Sequence, residues 1–156
     1  MTREQAVLRA RSAIGHGCIY RNGHGGKNPL KAVPWDEDMT CDCRGLAAWA
    51  VGEHRLIWTD TTAIFNFARG WRPYKEVKWA EARPGDLLVY PDRTGTDGLH
   101  HEGHVGIIVE SSPAGPVRVV HCSSSNFQRE SDAICESGPD LWISRGIVAR
   151  PAVLTD

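Results

Sequence analysis

Three side chains in this chain have the makings of thiol chemistry: Cys43, His104 and His121. Cys43 stands at the head of Arg44-Gly45-Leu46-Ala47-Ala48-Trp49-Ala50-Val51-Gly52. Leu46, Trp49 and Ala50 share one helical face there, Ala47 and Ala48 favour helix, and Gly52 supplies a stop. A thiol in the first turn of a helix meets free backbone N–H groups and the positive end of the dipole, and Arg44 adds a fixed charge beside it. The spacing therefore predicts a thiolate, the nucleophilic form of cysteine. Such a nucleophile needs a base within reach, a third polar group to orient the base, and donors facing the developing oxyanion. His104 is the expected base and His121 the expected orienter. The Cys43 backbone N–H is the expected first oxyanion donor, with the Tyr20 hydroxyl a second.

Placing these groups together requires particular elements. Residues 87–90, 104–110 and 117–122 are short apolar runs parted by turn signals, which predicts consecutive antiparallel strands. His104 begins the second of these strands and His121 ends the third, so a hairpin sets the two imidazoles side by side. A helix start packed on that sheet edge would bring Cys43 to them. A first helix is expected over 2–14, opened by a Thr2/Gln5 capping box. Another is expected over 63–70, capped within Thr59-Asp60-Thr61-Thr62, and a last strand over 142–149. Residues 18–40, 71–82 and 123–139 are expected to be irregular, with Tyr74 and Trp79 flanking a groove. Helices first and strands second indicate an α+β domain: N-terminal helices packed on a small antiparallel sheet.

With 156 residues, 41% hydrophobic and 24% charged, the chain reads as one domain over 1–156 with a real core. A net charge of −1 offers no basic field for nucleic acid. No apolar run is long enough to span a bilayer. The polar start Met1-Thr2-Arg3-Glu4-Gln5 is not a signal peptide, so synthesis in the cytoplasm is expected. Five cysteines at irregular spacing point to reduced thiols rather than a disulfide scaffold. No cofactor is called for, and a monomer is expected.

The same stretches resemble a family. Cys41-Asp42-Cys43-Arg44-Gly45 is similar to the Asp-Cys-Ser-Gly nucleophile motif of NlpC-type cell-wall peptidases and the related CHAP amidases. Pro84-Gly85-Asp86-Leu87-Leu88 resembles their Pro-Gly-Asp-Leu strand entry, and Gly103-His104-Val105-Gly106-Ile107 their His-Val-Gly-Ile base strand. Val119-Val120-His121-Cys122-Ser123-Ser124-Ser125 resembles the segment that carries the third catalytic group, and Tyr20-Arg21-Asn22-Gly23 the Tyr-x-Trp-Gly stretch whose tyrosine faces the site. Two positions differ, with Arg44 for the motif's serine and Asn22 for its tryptophan. The resemblance implies a papain-like fold, cleavage of an amide bond in a peptidoglycan stem peptide, and a Cys43, His104, His121 triad. Tyr20, Asp42 and Arg44 are then the expected substrate contacts, with Arg44 suited to a substrate carboxylate. A compact phage endolysin or tail-associated lysin, acting on the wall after release or delivery, fits these traits.

Other readings compete. An interbacterial amidase effector would share every trait above. A cysteine acyltransferase or deamidase could use the same triad, and a non-catalytic wall-binding domain could retain the same fold. Cys41, Cys43, His100, His101, His104, His121 and Cys122 also offer zinc-ligand types, although Cys-x-Cys is not the usual knuckle spacing.

Overall fold

A computed structural model describes residues 1–58, 60–70 and 73–156. Helix α1 (Arg3–Ser12) opens on the reciprocal Thr2/Gln5 box, and Ala6, Val7 and Ala10 turn inward. Helix α2 (Cys43–Val51) is capped by Asp42 and stopped by Gly52 at φ 80. Helix α3 spans Thr61–Gly70, and Asp60 Oδ1 takes the Ala63 N–H at 2.7 Å. Thr59, one of the expected caps, lies outside the described residues.

Among the described residues, ten strands follow in chain order: β1 (Ile19–Tyr20), β2 (Thr40–Cys41), β3 (Tyr74–Val77), β4 (Leu87–Tyr90), β5 (Arg93–Thr94), β6 (His100–His101), β7 (His104–Ser112), β8 (Gly115–Cys122), β9 (Ile134–Ser137) and β10 (Ile147–Pro151). Six of them form one sheet in the order β3-β10-β4-β7-β8-β9. Each pairing in that sheet is antiparallel. Strands β7, β8 and β9 run as a meander, while β10 returns to insert between β3 and β4. The fold is α+β, as the residue pattern indicates.

Both faces of the sheet are covered, which is why β4 reads as an unbroken apolar run. Leu87, Val89, Val105, Ile107 and Val120 pack under α1 and α2. Their alternates Leu88, Tyr90, Ile108 and Val119 form a second cluster around Trp142. Among the described residues, no helix is long and apolar enough to cross a membrane.

Several expectations for the connecting segments are corrected. Of the 71–82 stretch, Trp71 and Arg72 lie outside the described residues, and the remainder contributes strand β3, whose Tyr74 is 2% exposed and packs on Trp58 at 5.5 Å; it is core rather than groove wall. Trp79 likewise packs on the second cluster. Residues 123–139 hold helix α4 (Ser124–Glu130) and strand β9. Trp142 belongs to a turn, and the last strand starts later, at Ile147.

Candidate active site

Asp42 assembles the start of α2. Its carboxylate accepts from the Gly45 N–H at 2.7 Å and the Gly23 N–H at 2.7 Å. It also accepts from the two terminal guanidinium nitrogens of Arg55, Nη1 and Nη2, at 3.1 and 2.8 Å. Asp42 is 1% exposed, so it does not face a ligand, contrary to its expected place among the substrate contacts. It ties the 23–26 loop to the helix instead. Gly45 permits that approach, because a Cβ there would stand 2.7 Å from the His24 carbonyl oxygen and 2.8 Å from the Gly25 carbonyl carbon.

Cys43 is the first residue of α2 and is 6% exposed. All five cysteines are free thiols. The thiol is not ionised at rest, which reverses the expectation from its helix position. Burial pushes its pKa up to about 12 and the Asp42 charge adds to this. The Val105 N–H, the Arg44 charge and the Arg44 N–H pull the other way and do not prevail. Arg44 is turned aside: it donates to the Trp58 carbonyl at 3.2 Å and lies 3.7 Å from Asp42 Oδ2. The Val105 contact fixes the sulfur beside the beginning of β7, and Tyr90, whose pKa is raised first by burial, lies near enough that a thiolate at Cys43 would raise it further.

His104 and His121 meet as the strand ends require. Strand β7 pairs with β8 so that Gly106 faces His121, and His104 Nε2 lies 2.9 Å from His121 Nδ1. His121 Nε2 lies 2.9 Å from Ser137 Oγ, and Ser137 Oγ donates to the Gly138 carbonyl at 3.0 Å. Burial is the main force lowering both imidazoles: His104 falls to about 3, with His121 and Arg145 contributing, and His121 to about 4, with Arg129 contributing. Both rings are therefore neutral near pH 7.

The consecutive residues Gly103 and His104 line two different cavities, with Cys43 in the first and both histidines in the second. One, of about 220 Å³, is lined by Cys43, Tyr20, Arg44, Asp60 and Glu102 among others. The other, of about 420 Å³, is lined by His104, His121, Ser137, Asn126 and Arg129 among others. Tyr20 and Arg44 thus share a cavity with the sulfur. The phenol's pKa is raised by burial first, and a thiolate formed at Cys43 would raise it further.

Of the residues singled out in the sequence, the structure brings His104 and His121 into contact and sets Cys43, Tyr20 and Arg44 around one cavity. Ser137, Trp142 and Tyr90 complete the surroundings and carry no sequence signal, since only strand pairing and packing deliver them. Among the described residues, the group of possible metal ligands lying within 4.8 Å of one another is His24, Asp36 and Asp38. It includes none of the cysteines or histidines weighed for zinc. Lys27 Nζ already sits 2.7 Å from Asp36 Oδ2. No family model matches this chain, and no curated protein matches it.

Proposed function

We propose that the protein is a cysteine hydrolase of papain-like design that cleaves an amide bond of the peptidoglycan stem peptide, as a phage endolysin or tail-associated lysin would. The observation that carries this reading is the 2.9 Å contact between His104 and His121, at the strand end where α2 presents Cys43. The motif order from Tyr20 to Ser125 supports the substrate class.

The chemistry follows from the neutral resting state. His104 Nε2 is engaged with His121, so Nδ1 is the nitrogen left to act on the thiol. It takes the proton as the sulfur attacks the carbonyl carbon, in one step rather than from a stored thiolate–imidazolium pair. The Cys43 N–H, with the Tyr20 hydroxyl, receives the oxyanion. His104 then gives its proton to the leaving amine as the C–N bond breaks, and a thioester remains. Water attacks that thioester, losing a proton to His104, and releases the acid and the thiol.

The test is mass spectrometry of muropeptides released from purified sacculi. The wild-type protein should release fragments with a new amine and a new carboxyl at one amide position. Cys43→Ala should release none, whereas Cys41→Ala, whose thiol is fully buried, should keep most of the activity. The opposite pattern for the two cysteines would move the nucleophile, and inert wild-type protein would end the reading.

A further inference from the structure

We propose that Ser137 is a positioning residue which sets the tautomers of both histidines, so that His104 offers Cys43 a lone pair and not a proton. This rests on the hydrolase reading above and deepens it.

The Gly138 carbonyl oxygen can only accept, and Ser137 Oγ stands 3.0 Å from it, so the hydroxyl proton points there. What Ser137 has left for His121 is an oxygen lone pair. His121 Nε2, 2.9 Å away, must then carry the ring's hydrogen. A neutral imidazole has only one N–H, so His121 Nδ1 is bare. His104 Nε2 lies 2.9 Å from it and must be the N–H of its own ring. His104 Nδ1 is bare in turn. Each donor has one acceptor, and the direction of the chain runs from His104 to a fixed backbone carbonyl.

The fold places Ser137 for this. Strand β9 pairs with β8 so that Cys135 faces His121 and Ser137 faces Val119. Ser137 is therefore on the same sheet face as His121, as its diagonal neighbour. Reversing the chain would turn His104 Nδ1 into a donor, which cannot accept the thiol proton. His121 alone does not fix the direction, because its ring can donate through either nitrogen.

The experiment uses the whole protein labelled with 15N-histidine. Long-range 1H–15N spectra should show His104 and His121 both as the Nε2–H tautomer. Ser137→Ala should move His104 toward Nδ1–H, and Ser137→Thr, which keeps the hydroxyl, should restore the wild-type pattern. The rate at which iodoacetamide alkylates Cys43, read by peptide mass spectrometry, should fall about 10- to 100-fold in Ser137→Ala, by analogy with the outer partners that orient metal-bound histidines. Turnover of sacculi should drop through kcat with KM unchanged. A wild-type His104 in the Nδ1–H form overturns the proposal, as does a Ser137→Ala protein with unchanged tautomers and alkylation. Protein inert on sacculi but with the expected tautomers overturns the hydrolase reading alone, since neither the spectra nor the alkylation needs a substrate.

Discussion

Trp142 lies flat against His104, with ring centroids 5.3 Å apart and planes 18° from parallel. Its Nε1 donates to the His104 carbonyl at 3.4 Å, and its edge meets His121 at 5.3 Å and 89°. The indole is fully buried. It walls both imidazoles from water on one side, and exclusion of water is what holds them neutral.

Replacing the indole should therefore move both stability and titration. Trp142→Ala should cost about 3–5 kcal/mol. Trp142→Phe keeps an aromatic wall and loses the hydrogen bond, a cost of about 1–3 kcal/mol. In either variant that still folds, water reaches His104, and its pKa climbs toward the ordinary imidazole value. Urea unfolding and NMR titration of the rings measure the two effects. An unmoved His104 titration in Trp142→Phe would show that burial by other groups is sufficient.

Gly106 makes this stacking possible. A Cβ there would stand 2.6 Å from Val119 Cγ1, 3.2 Å from His121 Cβ and 3.2 Å from Trp142 Cη2. Gly106→Ala should cost about 1–3 kcal/mol through overpacking. Because the displaced groups include His121, kcat should fall further than the folded fraction accounts for. Gly70→Ala is the control: nothing lies within 4 Å of its Cβ, and the change should be neutral or stabilise by up to about 1 kcal/mol. Equal losses in the two variants would contradict this account.

How much of this could be read from residues alone depends on how local the cause is. The Thr2/Gln5 box and the Gly52 stop are set within four or five residues, and both were legible; the Asp42 cap is equally local but was not read as one. Strands β4, β7 and β8 announced themselves as apolar runs between turns, and the His104–His121 contact followed from their ends. Helix α4 was not legible, because Asn126 is its only buried residue and no apolar stripe marks it. Strand β9 alternates weakly, and Ser137 reaches His121 only through the β8–β9 register. The state of the Cys43 thiol was misread for a related reason. The helix start and Arg44 are visible in sequence, but the burial and the Asp42 charge that outweigh them are tertiary.

The Asp42–Arg55 pair should behave as a buried ion pair. Arg55 is 6% exposed and also donates to the Gly25 carbonyl at 2.9 Å. Asp42→Asn strands that guanidinium and should cost about 3–5 kcal/mol. Arg55→Met strands the carboxylate at similar cost. The double variant should lose less than the sum of the two, with a coupling of about 1–3 kcal/mol in a double-mutant cycle. Removing the Asp42 charge should also lower the Cys43 pKa, measured as faster alkylation at pH 8 in the folded fraction. Additive losses would mean that the two side chains act independently.

Acid should unfold the protein earlier than its carboxylates require. His104 at about 3 and His121 at about 4 sit below the ordinary value of 6.5. Below pH 6.5 the unfolded chain binds protons on these rings that the folded chain refuses. The stability they confer is thus complete above pH 6.5 and is lost as pH falls toward 4 and then 3. Each ring adds a slope of up to about 1.4 kcal/mol per pH unit in that window. The lowered carboxyls Asp36 and Glu136, with ordinary values of 3.8 and 4.5, act only at the acid end of that window, below pH 5. Urea unfolding at pH 7.5, 6.0 and 5.0 should show stability falling between the last two by more than between the first two. His121→Gln removes one titrating ring and should roughly halve the slope between pH 6 and 5. A wild-type stability flat from pH 7.5 to 5 would mean that the imidazoles accept protons in the folded state, and the one-step proton transfer from a neutral thiol would lose its basis.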